Sequence, residues 1–261
     1  MSFTSKTPAD TYKDITYIDN NNGGVDSTLR TVKTGNGSDT SIAVSNRSVT
    51  ITSSTNNTGA LSVINASGSS RLLVDTTNDQ VKALGTHINT QYATFGISHS
   101  IANGFIINTH HPIPFSNMAT DDSEDVVGFG TGTDPATSFT TADDPATDAS
   151  NLVPMFWYVP DNIYIDAVTA IEGGDNATGD TTRMHLMSYT FTSGSTSCLT
   201  NGTLLAHNND VTNAGSEQAY YSSFTVDSTT VASGKVILAF FRSDSINSDY
   251  SVNLTVKYHL T

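Results

Sequence analysis

The side chains able to do chemistry crowd into the middle of the chain. Asp121, Asp122, Glu124 and Asp125 form the densest acidic cluster. Calcium is the cation such a group would take, since it wants six to eight oxygen ligands. The alternating Asp/Asn spacing and closing Glu of a known calcium loop are missing, so a solvated acidic loop is the simpler expectation. Asp143–Asp144 reads the same way. Paired carboxylates also serve glycoside hydrolysis, but in a segment this acidic such pairs arise without purpose. His99, His110 and His111 come next. Adjacent strand residues point to opposite faces, so His110 and His111 of one chain cannot share an ion, whereas copies about a threefold axis could. The simpler expectation is a polar turn entering Pro112. His185 is expected as an edge-strand residue. Cys198 is the single cysteine and has no flanking positive charge to favour its thiolate. Ser98–His99 lacks the glycines of a nucleophile elbow, and neither a phosphate loop nor a dinucleotide fingerprint occurs. Tyr189, Tyr220 and Tyr221, with Tyr250 and Trp157, are the rings that would stack on a sugar or receptor, although such rings also fill cores. The expectation is a protein with no catalytic residue and no cofactor beyond calcium at Asp121–Asp125.

Charge narrows the partners. The 261 residues carry a net charge of −14, and the excess is local. Residues 1–82 balance seven basic against seven acidic groups, while between Ala83 and Thr182 there is no Lys or Arg against 13 acidic residues. Such a surface repels phosphates, which need Lys and Arg for counterion release, so no nucleic-acid partner is expected. A lone cysteine gives no disulfide framework. The N-terminus MSFTSKTPADTYKD lacks the apolar core of a signal peptide, and no apolar run approaches the roughly 20 residues that span a bilayer. Synthesis in a cytoplasm without membrane insertion is expected.

The elements that would carry these residues are strands. Seven short apolar segments run from Ile15–Ile18 through Leu29–Val32, Ile42–Val44, Val49–Ile51, Leu61–Ile64 and Leu72–Val74 to Val81–Leu84. Asn/Gly/Asp/Ser clusters separate them, the residues that turns demand. Each segment offers two or three medium side chains. At about 1.5–3 kcal/mol per buried aliphatic group, they barely offset an ordering cost of about 1–2 kcal/mol per residue. Copies packed about a shared axis would bury them against one another. Residues 90–115 are richer and read as two or three more strands, and 117–151 as an exposed excursion or linker.

Met155–Ile171, MFWYVPDNIYIDAVTAI, holds the single tryptophan and is expected as the first strand pair of the main core. Candidate strands follow at 183–191, 203–207, 217–226, 235–241 and 250–260. In the last, Val252, Leu254, Val256, Tyr258 and Leu260 alternate with polar residues, the pattern of one face on a core and one in water. Val236–Phe241 is continuously apolar, as in a central strand. The expected fold class is all-β: a short-stranded N-terminal stem region, 1–115; an acidic linker, 116–151; and a C-terminal β-sandwich, jelly-roll-like head, 152–261.

With these segments in view, the chain resembles minor structural proteins of marine tailed bacteriophages. The resemblance rests on TYKDITYIDNNNGGVDSTLRTVKTGNGSDTSIAVS, GALSVINASGSSRLLVDTTNDQVKALG and NTQYATFGI. Toward the C-terminus it rests on PMFWYVPDNIYIDAVTAI and DYSVNLTVKYHL. It implies a fibre, spike or head decoration on the virion surface, a homotrimer attached to capsid or tail-adaptor proteins. A tail-fibre adhesin for a host glycan or receptor is the alternative. The chain is short for a long tail fibre and carries no tail-adaptor helix or chaperone domain, which leaves head and tail positions equally open.

Overall fold

A computed structural model describes residues 15–21, 23–99, 106–116, 129, 152–174, 178–195, 198–245 and 249–261. The fold is all-β, made of antiparallel sheets, and the chain divides into two units, Met1–Ile88 and Asn89–Thr261. Among the described residues no helix is long and apolar enough to cross a membrane.

The first unit is two four-stranded meanders. One contains β1 (Thr16–Ile18), β2 (Arg30–Thr34), β3 (Asp39–Val44) and β4 (Val49–Ile51) in sequential order. The other contains β5 (Leu61–Ile64), β6 (Ser70–Asp75), β7 (Gln80–Ala83) and β8 (Thr86–His87), again in order. Each of the seven apolar segments carries a strand, and β8 lies outside them. Between β2 and β3, Gly37 sits at φ +85°, a left-handed conformation that glycine adopts freely, and its N–H donates to the Thr34 carbonyl at 2.8 Å. Between β6 and β7, the Asp75 carboxylate accepts from the Asn78 side chain and from the N–H groups of Thr77 and Asn78. The Asn78 side-chain bond leads in holding that carboxyl below its ordinary range.

The second unit has two larger sheets. The five-stranded sheet contains β9 (Thr90–His99), β12 (Ile163–Gly174), β16 (Gln218–Ser223), β18 (Thr230–Val231) and β20 (Tyr250–Leu260), with main path β16-β12-β20-β9. The seven-stranded sheet contains β10 (His111–Ile113), β11 (Trp157–Tyr158), β13 (Thr181–Phe191), β14 (Leu199–His207), β15 (Val211–Thr212), β17 (Thr225–Val226) and β19 (Lys235–Ser243), with main path β10-β19-β13-β14-β17. Both sheets contribute to one core: Phe95, Ile165, Val168, Leu254 and Val256 from the first meet Met184, Leu186, Leu205, Ile237 and Phe241 from the second. A second apolar cluster covers the other face of the seven-stranded sheet, where Val236, Leu238, Phe240, Met187 and Tyr189 lie under Phe129, Leu152 and Met155. The apolar run of β19 is thereby buried on both faces, as a central strand requires.

Three expectations change. The boundary placed at residue 115 falls at Ile88/Asn89, because β9 pairs along its whole length with the closing strand β20 and β10 pairs with β19. Trp157–Tyr158 and Ile163–Gly174 are not a strand pair. The former pairs with β19 and the latter with β20, so the turn at Pro160 carries the chain from one sheet to the other. The alternation of β20 holds from Tyr250 to Val256 but breaks at His259, which is buried on the supposedly wet face. Most of 116–151 lies outside the described residues. Within that stretch Phe129 is buried, its N–H donating to the His110 carbonyl at 2.8 Å and its ring 4.8 Å from Phe240.

Candidate functional site

Strand register gives each meander of the first unit an apolar face. In one, Ile42 pairs with Ile51 and Val44 with Val49. In the other, Leu61 pairs with Val74 and Val63 with Leu72, while Val74 also pairs with Val81. Cross-strand pairs of this type stabilise a sheet when the face they form is covered. Here it is not: among described residues 15–88 no apolar side chain is buried, and Val49 stands 68% exposed. Two ion pairs are formed among the described charges of this unit. Arg30 pairs with Asp26, and Lys33 with Asp39 at 3.6 Å. Among the described residues, most of the exposed large apolar side chains lie in this unit.

The residues singled out from sequence are scattered. Asp121, Asp122, Glu124, Asp125, Asp143 and Asp144 lie outside the described residues. Tyr189 is fully buried, so it is a core ring and not a surface contact; Gly202 lies so close that a Cβ there would stand 2.7 Å from the Tyr189 ring. Tyr250 and Trp157 are likewise buried. Tyr220 is half-buried, its hydroxyl accepting from the Ala214 N–H at 2.9 Å and donating to Gln218 at 3.1 Å. Tyr221 alone of the three glycan candidates stands out, 70% exposed and paired across strands with the exposed Ile171. Cys198 is half-buried against the second apolar cluster.

The histidines are not a polar turn. His110 and His111 are both buried. The Ile106 N–H donates to His111 Nε2 at 3.0 Å, and the His110 ring meets His185 edge-on at 5.0 Å. His185 is not at an edge either, because β13 runs between β19 and β14. Its ring stacks 6.5 Å from His207, whose Nδ1 contacts Asp227 at 2.7 Å. Burial, then the charges of His110, Arg183, His207 and Arg242, push the His185 pKa down to about 3. A neutral imidazole held this way is part of the packing. At neutral pH it is not a general acid.

Two buried polar groups escaped sequence reasoning. His259 Nδ1 lies 3.0 and 3.1 Å from the two carboxylate oxygens of Asp166, with its ring stacked on Tyr164 at 5.1 Å. Glu172 is 1% exposed, and burial raises its pKa to about 7 although the Thr182 hydroxyl bond pulls it down. Alternation along β12 carries the signal for Glu172: it stands at an inward position, two residues after Ala170. His259 and Asp166 offered none, since they meet only because β12 and β20 are neighbours. No protein-family model matches the chain, and no curated protein matches it in sequence.

Proposed function

We propose that the chain is a non-enzymatic virion structural protein of a tailed bacteriophage. It would be displayed on the particle surface as a short homotrimeric fibre, spike or capsid decoration. In this reading the first unit is the assembling stem, the second is a jelly-roll-like head, and the remaining contacts are to capsid or tail-adaptor proteins. The observation that carries it is the first unit's pair of ordered meanders with no buried apolar side chain. Strands so poorly covered are stable when other copies cover them, and self-association also removes the exposed strand edges that invite aggregation. The faces are Val, Ile and Leu in a charge-balanced region, which suits like meeting like. The sequence resemblance supplies the virion context.

The test is the solution mass of the intact protein by light scattering. The protomer is 27.6 kDa, and a species of three times that mass, broken down by Val49→Asp or Leu72→Asp, is the expected result. A wild-type monomer at all concentrations would sink this reading. The exposed Tyr221–Ile171 pair favours one alternative, an adhesin that stacks a host glycan on the outer face of the five-stranded sheet. Glycan-array binding that is lost in Tyr221→Ala would support it.

A further inference from the structure

Most of the space between the two sheets of the second unit is apolar, but where β12 ends and β13 begins the filling turns polar. Glu172 and Gly174 occupy alternate, inward positions of β12, and Thr182 faces them from β13. The Thr182 hydroxyl donates to Glu172 Oε1 at 2.6 Å and lies 3.4 Å from the Val211 carbonyl oxygen. Two residues beyond Val211, Asn213 comes back to the same inward face of β12: a Cβ on Gly174 would stand 3.3 Å from Asn213 Oδ1. The missing side chain at 174 is what lets that amide approach.

Glu172, Thr182 and Asn213 are exposed by 1%, 0% and 5%. Yet Glu172 Oε2 and both polar atoms of the Asn213 amide have no hydrogen-bond partner among the described residues. Buried polar atoms in folded proteins are nearly always satisfied, and exceptions at one place point to an unseen water or ion. Burial and Thr182 alone set the charge state of Glu172, with no basic side chain contributing. The nearby charges are acidic or already paired. Asp180 accepts from the Tyr250 hydroxyl at 3.0 Å, Asp244 from the Thr181 N–H at 2.6 Å, and Asp210 pairs with Arg183.

We propose that Glu172, Asn213, Thr182 and the Val211 carbonyl form a site for one hard divalent cation of the calcium class, tying β12 of one sheet to β13 and β15 of the other. The donor set is all oxygen, without imidazole or thiolate, which selects hard ions over zinc or copper. Glu172 Oε2 and Asn213 Oδ1 are both acceptors left without a donor among the described residues. An ion between them serves both. Water fills the remaining coordination positions. The site is independent of the acidic cluster at Asp121–Asp125 and of the assembly reading.

The experiment is thermal unfolding of the full chain, stripped with chelator and then titrated with calcium chloride. The wild type should gain melting temperature with calcium, as any protein does whose native state alone binds the ligand. Glu172→Gln keeps the acceptor for Thr182 and should show no gain. Asn213→Ala, which serves the same comparison should Glu172→Gln fail to fold, should need about tenfold more calcium or more. A wild type indifferent to calcium overturns the proposal. So does a gain that persists unchanged in Glu172→Gln, or one abolished by Asp121→Asn with Asp122→Asn, which would place the ion on the acidic cluster.

Discussion

Strands β4 and β19 are both built of β-branched and other apolar residues, and they end in opposite circumstances. All three residues of Val49–Ile51 are exposed, whereas Val236–Phe241 is buried on both faces. Turn chemistry is equally good in the two units, so local propensity does not separate them. Side-chain payload does. Tyr17 is the sole aromatic residue among positions 15–88, while the second unit holds 19 of the chain's 22 Phe, Tyr and Trp. Rings bury on the order of 150–250 Å² each, enough for Phe95, Phe241 and Phe240 to anchor cores on both faces of the seven-stranded sheet. Short aliphatic strands specify pairing without specifying a core.

Cutting the chain between the units breaks this comparison most directly. Residues 89–261 expressed alone should unfold in one cooperative transition by circular dichroism, independent of protein concentration. Residues 1–88 alone should show no such transition when dilute. A stable monomeric 1–88 would refute the contrast. Dividing after residue 150 instead should unfold the C-terminal piece, because β9 and β10 leave with the other fragment.

Single truncations sharpen the same point. Leu254→Ala, in the core between sheets, should cost about 2–5 kcal/mol in denaturant unfolding. Val49→Ala should cost under about 0.5 kcal/mol in dilute protein, and more only where the protein is assembled. Equal costs at high dilution would mean that the first unit has a core of its own.

Glu172 makes the stability of the second unit depend on pH. Its folded pKa of about 7 lies above its ordinary value of 4.5, so its contribution to stability is full below pH 4.5 and is lost as pH rises through 7. The loss is on the order of 3 kcal/mol. His185 works in the opposite direction: with its pKa near 3, its contribution is lost as pH falls below the ordinary histidine value. The two overlap, so the informative measurement is the difference between wild type and Glu172→Gln from pH 4 to 8 in chelator. The variant should gain on the wild type as pH rises. A flat difference would show that Glu172 is not held uncharged in the folded protein.

The sequence by itself determined that the chain folds as short strands joined by turns, and where most of those strands lie. All seven short segments of the first unit carry strands, and β12, β19 and β20 cover the expected 163–171, 235–241 and 250–260, whereas the expected strand 217–226 divides into β16 and β17 in different sheets. Strand formation depends on neighbours a few residues apart, and turn residues mark its limits. Tertiary structure decided which strands are neighbours. Pro160–Asn162 looks like a hairpin turn in either topology, and only the partners β19 and β20 show it to be a crossing between sheets. The same holds for the polar interior. Glu172 meets Thr182, His259 meets Asp166, and His110 meets His185 across separations in sequence that no local pattern encodes. Burial of a polar residue is set by what the rest of the fold lays over it, and that information is not carried by the residue or its neighbours.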